Sequence, residues 1–218
     1  MPPELEPERR RILAAALARV PFDGWSRACL DAATADAGLD RTLARRAFPR
    51  GIGDLLGFFM AEADRTMICE LARRDLARMR IRERIATAVR VRLEQLTPHR
   101  EAVRHALALA ASPQYAPMAV AALSRTVDAM WRAGGDEATD FNYYTKRCLL
   151  AGVYGTTLLY WLSDSTPGFE ATWQFLDRRI ENVIGIQKAR ARLDGGLAKL
   201  EPGLISFARR FSAARPNG

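Results

Sequence analysis

Cysteine and histidine are scarce in this chain, which argues against several kinds of site. The 218 residues include three cysteines and two histidines, and Cys29, Cys69 and Cys148 lie far apart. No Cys or His stands at the short spacing of zinc ligands, and an odd number of cysteines does not make a disulfide framework. We therefore predict reduced, mostly buried thiols, no metal and no cofactor. Neither His99 nor His105 is paired with a carboxylate motif or a glycine-rich phosphate loop, so no catalytic residue and no enzymatic activity are predicted.

Long hydrophobic runs and targeting signals are also missing. The longest charge-free stretches, 106–124 and 148–163, are interrupted by proline or are shorter than the roughly 20 residues that cross a bilayer. The first eight residues, Met-Pro-Pro-Glu-Leu-Glu-Pro-Glu, are acidic and resemble neither a signal peptide nor a transit peptide. This pattern predicts no membrane-spanning segment and no export.

The alternating pattern of β-strands is absent, and apolar residues recur at helical spacing. The chain is 49% hydrophobic and 27% charged, which suits one globular domain with at most a small appendage. Breakers such as Pro21, Pro98 and Gly134 separate the predicted helices. These helices lie at 5–19, 25–37, 40–48, 52–79, 81–96, 98–111, 116–133, 139–163, 168–193 and 202–213. The predicted fold class is all-α.

Positive charge is in excess over negative charge. The net charge is +8 at pH 7, and the isoelectric point is about 10.0. Such a surface attracts polyanions, namely nucleic acid, an anionic membrane face or an acidic protein. Charge alone does not choose among these partners.

Large aromatic residues are concentrated around one polar Gly-Gly-Asp turn. The segment 127–144 contains Met130, Trp131, Phe141, Tyr143 and Tyr144. Such a cluster is either part of the core or a docking surface, because Met, Trp and Tyr are enriched where proteins bind each other. The residues alone leave both interpretations open.

This segment, the motif Tyr154-Gly-Thr-Thr157 and the run from Asp164 to Trp173 resemble the Coq-nine (COQ9) family of ubiquinone (coenzyme Q) biosynthesis accessory proteins. The resemblance covers roughly residues 80 to 185. It implies a TetR-like helical bundle, expected as a homodimer, that binds an isoprenoid or quinone lipid. It also implies docking to a di-iron hydroxylase of the ubiquinone pathway and attachment to an anionic membrane surface through an amphipathic C-terminal helix.

The resemblance assigns roles to particular residues of this chain. The predicted partner-binding residues are Met130, Trp131, Asp140, Tyr143 and Tyr144. Tyr143 stands where eukaryotic members usually have Trp, which is expected to alter affinity for the partner.

The apolar residues of helices between 81 and 193 form, by default, a packed core. The resemblance implies instead that they enclose an elongated apolar cavity. The residues predicted to bind lipid there are Leu96, Met118, Leu123, Leu149, Gly152, Val153, Leu159, Phe175 and Ile180. Gly152 and Gly155, about one turn apart, either permit close approach of two backbones or leave room for a lipid chain.

The C-terminal segment has an amphipathic pattern. Apolar residues recur at i, i+3, i+4 and i+7 from Leu204, and arginines occupy the other face. The segment is either an ordinary last helix packed on its own core or an interfacial helix on an anionic bilayer, as the resemblance implies. The predicted membrane-binding residues are Leu204, Ile205, Phe207, Phe211, Arg209 and Arg210.

The first sixty residues resemble the helix-turn-helix head of TetR-type repressors, including the distance from the turn Gly38 to Phe48. Asp40 is predicted to cap the third helix. In a repressor this helix enters the major groove, and here its contacts to DNA would come from Arg41, Arg45, Arg46 and Arg50. However, Arg45 replaces the usual aromatic residue and Ala47 the usual polar one. These departures argue against specific binding of nucleic acid.

The predicted organisation has three parts: a helix-turn-helix-like part over 1–50, a lipid-binding bundle over 51–194, and a hinge with an amphipathic membrane-binding helix over 195–218. The predicted function is to bind a prenylated quinone intermediate at the membrane and to present it to a hydroxylase. The alternative is a TetR-type transcriptional regulator with an apolar effector. The predicted location is cytoplasmic, peripheral on a bacterial inner membrane.

Overall fold

The computed structural model describes residues 3–135 and 142–185, and most of these residues are helical. The helices are α1 (Glu6–Asp23), α2 (Arg27–Asp36), α3 (Arg41–Ala47), α4 (Ile52–Ala72), α5 (Ile81–Leu96), α6 (Arg100–Ala110), α7 (Ala116–Ala133) and α8 (Asn142–Ser163). A further helix runs over 170–185. No strand occurs in the two described ranges, and the prediction of an all-α fold is confirmed. The chain divides into two compact units, Met1–Leu176 and Asp177–Gly218.

Helices α2 and α3 begin at capping side chains that the sequence supplies. The Ser26 hydroxyl accepts a hydrogen bond from the Cys29 backbone N–H at 3.1 Å. Asp40 Oδ1 accepts one from the Leu43 N–H at 2.7 Å, which confirms the predicted cap of α3. These bonds satisfy amides that the first turn of a helix leaves unpaired. Between the two helices, Gly38 has a φ of 66°, which glycine adopts without strain.

Two predicted helix limits are wrong. Helix α1 continues through Pro21, which we expected to end it, and stops at Gly24, where φ is 63°. A proline in the last turn removes one backbone donor, and the packing of α1 against α2 and α6 outweighs that loss. The predicted helix over 52–79 is also shorter, because α4 ends at Ala72 and a 3₁₀ turn, Leu76–Arg78, follows it.

Buried contacts join the N-terminal helices to the rest of the first unit. Trp25 Nε1 donates a hydrogen bond to the Ala102 carbonyl on α6 at 2.9 Å. The Trp25 ring lies 5.4 Å from the Phe59 ring on α4, centroid to centroid. Arg9, which is buried, donates through Nε to the Ala47 carbonyl at 2.9 Å. Helices α1 to α3 therefore share their core with α4 and α6.

Helices α4 to α8 form the part of the bundle that carries the candidate site. Helix α4 packs against α5 and α7, and α7 packs against α8. Their fully buried side chains include Leu55, Met67, Leu93, Val127 and Trp161. Each such side chain contributes roughly 1.5–3 kcal/mol through burial. None of the described helices is both long and apolar enough to span a membrane.

The cysteines differ from their predicted burial. Cys29 is buried, but Cys69 and Cys148 are exposed, because they lie on the outer faces of α4 and α8. Within residues 3–135 and 142–185, no group of three or more His, Cys, Asp or Glu side chains is placed to hold a metal ion.

Candidate functional site

An apolar cavity of about 450 Å³ lies among helices α4 to α8. Its volume falls within the roughly 300–1,000 Å³ common for small-molecule sites. The lining residues are Leu56, Gly57, Met60, Leu96, Val103, Ala106, Leu107, Ala110, Met118, Ala119, Val120, Ala122, Leu123, Thr126, Ala151, Gly152, Tyr154, Gly155, Thr156, Leu158 and Leu159. None of these side chains is charged. The wall therefore suits an apolar guest, whereas an ionised group would lose its hydration there without gaining a counter-ion.

Part of the cavity wall is exposed to solvent. Val120 on α7 and Leu159 on α8 line the cavity, and yet they are 64% and 61% exposed. Gly152, Thr156 and Leu159 are all exposed, and their spacing of four and three residues places them on one face of α8. Large apolar side chains at this edge can contact a hydrocarbon phase directly.

Three glycines widen the cavity. Gly57 on α4 and Gly152 and Gly155 on α8 all line it. A Cβ atom added at any of the three would have no heavy atom of a neighbouring element within 4 Å. Of the two uses that the sequence left open for Gly152 and Gly155, the structure therefore favours room for a guest over close approach of two backbones.

The structure brings five of the nine predicted lipid-binding residues to this wall: Leu96, Met118, Leu123, Gly152 and Leu159. Leu149, Val153 and Phe175 do not line it. Val153 is buried on another side of α8, and Phe175 stacks on Tyr160 with the ring centroids 4.5 Å apart. Ile180 belongs to the second compact unit. Lipid binding by these residues stays a prediction.

Helix α6 supplies four lining residues that were not among the predicted lipid-binding residues. They are Val103, Ala106, Leu107 and Ala110. Their spacing of i, i+3, i+4 and i+7 is that of a continuous helix face, which is the signal that could have identified them. The small size of two of these residues leaves space beside the helix.

A buried polar cluster borders the cavity at Thr126. The Thr126 hydroxyl donates to Asp64 Oδ1 at 2.7 Å, and Arg92 Nη2 lies 3.1 Å from the same oxygen. Arg92 and Thr126 have no exposed surface. Burial raises the pKa of the Asp64 carboxyl above its usual value, because Arg92 and Thr126 only partly offset the loss of hydration. The cluster joins α4, α5 and α7 behind the apolar wall.

Several known proteins are similar to this chain in sequence. Residues 116–187 match the family model described as COQ9. Over 207 residues, the chain is 33% identical to ubiquinone biosynthesis protein COQ9, mitochondrial, from Rattus norvegicus, an alignment that covers 92% of this chain and 66% of the rat protein. The Homo sapiens protein of the same name is 31% identical over 207 residues, which cover 92% of this chain and 65% of that protein.

The chain belongs to the COQ9 family. It spans just under two thirds of the length of these relatives, namely 66% of the rat protein and 65% of the human protein. The predicted location, cytoplasmic and peripheral on a bacterial inner membrane, is wrong by this comparison, since the similar COQ9 proteins are named as mitochondrial. That prediction was based on the unpaired cysteines and on the acidic first eight residues.

A solved structure with the same fold is a TetR transcriptional regulator from Nitrosomonas europaea ATCC 19718. It aligns with a TM-score of 0.68 and 22% identity, covering 81% of this chain and 97% of the regulator. The prediction that this COQ9-family chain has a TetR-like bundle is therefore confirmed. The likeness concerns the fold alone.

The aromatic segment of this COQ9-family chain is partly in the core. Met130 and Trp131 are buried, and Trp131 Nε1 donates to the Lys146 carbonyl at 3.3 Å. Both side chains therefore belong to the core. Their burial does not support contact with a partner protein, and their role in partner binding stays a prediction. Asp140 and the side chains of Tyr143 and Tyr144 lie outside the described residues.

The run from Asp164 to Trp173 is organised around one carboxylate. Asp164, which is 6% exposed, accepts hydrogen bonds from the N–H and hydroxyl groups of Thr166 at 2.8 and 2.7 Å and of Thr172 at 2.9 and 2.6 Å. Burial by itself raises the pKa of this carboxyl, but the four bonds outweigh it and lower the pKa of Asp164 from 3.8 to about 2. The carboxylate thus fixes the turn that precedes the helix over 170–185.

We expect Asp164→Ala to lower the free energy of unfolding by roughly 2 kcal/mol at pH 7, because four donors lose a charged acceptor. The stabilisation by Asp164 is fully present above pH 3.8 and is lost as the pH falls from 3.8 towards 2, since the unfolded chain takes up the proton first. Urea unfolding at several pH values measures the difference between wild type and variant. Asp31→Ala, at an exposed position of α2, is the control. A difference that stays constant down to pH 2.5 would contradict this account.

Proposed function

We propose that this chain is a lipid-binding accessory protein of ubiquinone biosynthesis rather than an enzyme. It binds a prenylated quinone intermediate, or a similar isoprenoid lipid, at a membrane surface and presents it to a di-iron hydroxylase of the pathway. The observation that carries this proposal is the uncharged cavity of about 450 Å³. The names of the COQ9 relatives supply the pathway.

The exposed edge of the cavity supports direct transfer of a lipid tail. A tail that moves from bilayer to cavity exchanges one apolar environment for another, so the net free energy of transfer is small. Exposing the tail to water on the way would cost roughly 0.8 kcal/mol for each CH₂ group. Val120 and Leu159, which are exposed and line the cavity, can touch the hydrocarbon of the bilayer and remove that barrier.

Contact with the membrane is proposed for the C-terminal segment, which lies outside the described residues. The support is its sequence pattern, with four large apolar residues on one face and arginines on the other. Each apolar side chain that enters the interface contributes roughly 1.5–3 kcal/mol, and each Arg near an anionic surface about 1 kcal/mol. After the cost of ordering the segment, these values support reversible attachment.

Presentation to the hydroxylase requires a docking surface beside the cavity. Asp140, Tyr143 and Tyr144 remain the proposed contacts, because they belong to the motif shared with the COQ9 family. We propose a homodimer as the working assembly, since the resemblance to TetR-like proteins implies one.

A single experiment tests uptake and attachment together. Purified protein is mixed with anionic liposomes that contain a prenylated benzoquinone, the liposomes are floated, and quinone is then measured in the protein fraction by mass spectrometry. We expect wild type both to float and to carry quinone. Phe207→Asp combined with Phe211→Asp is expected to reduce the floated fraction severalfold, because two anchors become charges that an anionic surface repels.

The matched control is Ser206→Asp combined with Ala213→Asp, which adds the same charge on the opposite face of the predicted helix. If both double variants lose flotation equally, charge alone explains the loss and the interfacial helix is ruled out. Wild type that floats but carries no quinone would overturn the lipid-binding function.

The regulator alternative has less support. Four arginines of the helix-turn-helix-like part were predicted as contacts to DNA, and one of them, Arg50, already pairs with Asp54 at 2.8 Å. Ala47, which stands where repressors usually have a polar residue, is fully buried. The likeness to the Nitrosomonas europaea regulator extends to the fold alone.

A further inference from the structure

A second pocket, of about 670 Å³, lies among α2, α3 and the start of α4, and we call it the basic pocket. Its charged lining residues are Arg27, Asp31, Arg41, Arg45 and Arg50. Four cations and one anion give this wall a formal charge of +3. The basic pocket shares no lining residue with the apolar cavity, and the proposed lipid-binding function does not involve it.

The arginines reach the basic pocket from three separate elements. Arg27 and Arg41 are the first residues of α2 and α3, and Arg45 follows Arg41 by one turn on the same face of α3. Arg50 belongs to the turn between α3 and α4. The floor between the arginines is apolar and consists of the buried side chains of Leu30, Ala44 and Phe48. Core packing therefore holds the backbone of these elements, and the guanidinium groups surround one concave surface.

Three of these arginines have no partner among the described residues. The side chains of Arg27, Arg41 and Arg45 are exposed and form no hydrogen bond or ion pair there. By contrast, the exposed Arg90 on α5 pairs with Glu94 at 2.8 Å. Like charges around one pocket repel each other, and a bound anion would replace that repulsion by attraction.

The fourth arginine is fixed in place by a buried carboxylate. Arg50 donates through its backbone N–H and through Nε to Asp54, at 2.8 and 2.9 Å, and Asp54 is 4% exposed. The Arg50 side chain itself is 86% exposed. A guanidinium group has five N–H donors, so the bonds to Asp54 leave donors for a ligand.

The number of donors indicates which anion the basic pocket takes. A carboxylate has two oxygens and one charge, which a single arginine satisfies with two parallel hydrogen bonds. A terminal phosphate group has three oxygens and up to two negative charges, so it can accept bonds from several arginines at once. The volume of about 670 Å³ is that of a small-molecule site. Three unpaired arginines around such a space match a phosphate group better than a carboxylate.

We propose that the basic pocket binds a ligand with a terminal phosphate group, to which Arg27, Arg41 and Arg45 donate hydrogen bonds. Asp31, on the same wall, repels the ligand and weakens its binding. Terminal phosphates occur in soluble oligophosphates and in the headgroups of phosphomonoester lipids, and the same arginines would recognise both. The proposal is independent of the apolar cavity and of the lipid that the cavity holds.

Two probes distinguish the two sources of phosphate. Isothermal titration with inorganic tripolyphosphate tests the soluble source, and flotation with phosphatidylcholine vesicles that contain phosphatidic acid tests the lipid source. We expect wild type to bind at least one probe at physiological salt. For that probe, Arg41→Gln combined with Arg45→Gln is expected to raise the dissociation constant at least tenfold, because two charged donors are lost. Failure of wild type to bind either probe would overturn the proposal.

The matched control is Arg46→Gln combined with Arg82→Gln. Both arginines are exposed, form no hydrogen bond or ion pair among the described residues and lie outside the basic pocket. The control therefore loses the same charge, and we expect its dissociation constant to stay within about twofold, since exposed charges beyond about 8 Å are screened. Equal weakening in the two double variants would assign the affinity to net charge and would refute the site. Tighter binding of random duplex DNA than of both probes, at equal phosphate concentration, would also refute it.

The variant Asp31→Asn tests the same site by a gain of affinity, which unfolding cannot produce. It removes the one negative charge of the wall, so the dissociation constant of the bound probe is expected to fall severalfold. Glu4→Gln, at an exposed position outside the basic pocket, makes the same change in net charge and is the control. An equal gain in both variants, or no gain in Asp31→Asn, would contradict binding in this pocket.

Discussion

Leucine at both Gly57 and Gly155 is expected to reduce lipid uptake at least tenfold while raising the thermal stability of the protein. Both glycines line the cavity, and an added Cβ meets no neighbouring element within 4 Å, so the new side chains enter space that a guest would occupy. Both also lie inside helices, where replacing Gly by a good helix former contributes about 0.8–1 kcal/mol. For a chain of this length, each kcal/mol raises the thermal midpoint by roughly 2–4 °C.

Lipid uptake is expected to fall while thermal stability rises, and this combination distinguishes a blocked cavity from an unfolded protein. Gly57→Ala with Gly155→Ala is the first control, because it adds the helix-propensity gain with little volume. Ala121→Leu is the second, since it places the same side chain at an exposed position of α7 outside the lining. Quinone recovered in the protein fraction after exposure to liposomes is the measurement. Normal uptake by the double leucine variant would locate the lipid elsewhere.

Removing the carboxylate of Asp64 is expected to cost roughly 3–5 kcal/mol of unfolding free energy, because it leaves the buried charge of Arg92 without its counter-ion. Arg92 has no exposed side-chain surface, and its Nε and Nη1 have no hydrogen-bond partner among the described residues. The ion pair with Asp64, at 3.1 Å, is therefore the main compensation for the desolvated guanidinium. Urea unfolding of Asp64→Ala at pH 7 measures the loss.

The double variant Asp64→Leu, Arg92→Met is expected to recover most of that stability. Burial raises the pKa of Asp64, because the loss of hydration disfavours the charged carboxylate more than Arg92 and Thr126 favour it. Replacing both ions by apolar side chains of similar size therefore removes a cost together with an attraction. Were the double variant as unstable as Asp64→Ala, the pair would be a net source of stability and this explanation would fail.

The fold could be predicted from the sequence where local rules decide it. Asp40 stands before a run of helix formers, so its capping role follows from nearest neighbours alone. Helix α5, Ile81–Leu96, has the predicted limits because its apolar period is uninterrupted. The end of α1 was not predictable in this way, since the helix continues through Pro21 by packing against residues distant in sequence.

The candidate site was less predictable, because a cavity is a property of several helices at once. Val153 and Gly152 are neighbours in sequence, yet a rotation of about 100° per residue places only Gly152 at the cavity wall. The face of α6 from Val103 to Ala110 was readable as apolar, but whether an apolar face is packed or left open depends on the size of the opposing residues. The burial of Trp131 likewise depended on α8, whose position the motif does not encode.

Helices α4 and α6 each have two occupied sides. Gly57 and Val103 line the cavity, whereas Phe59 and Ala102 hold the ring and the indole N–H of Trp25. The N-terminal helices thus support α4 and α6, two of the helices that enclose the cavity. Without them, the sides of α4 and α6 that face away from the cavity would lose these contacts. The N-terminal helices therefore have a structural role that does not require binding of DNA.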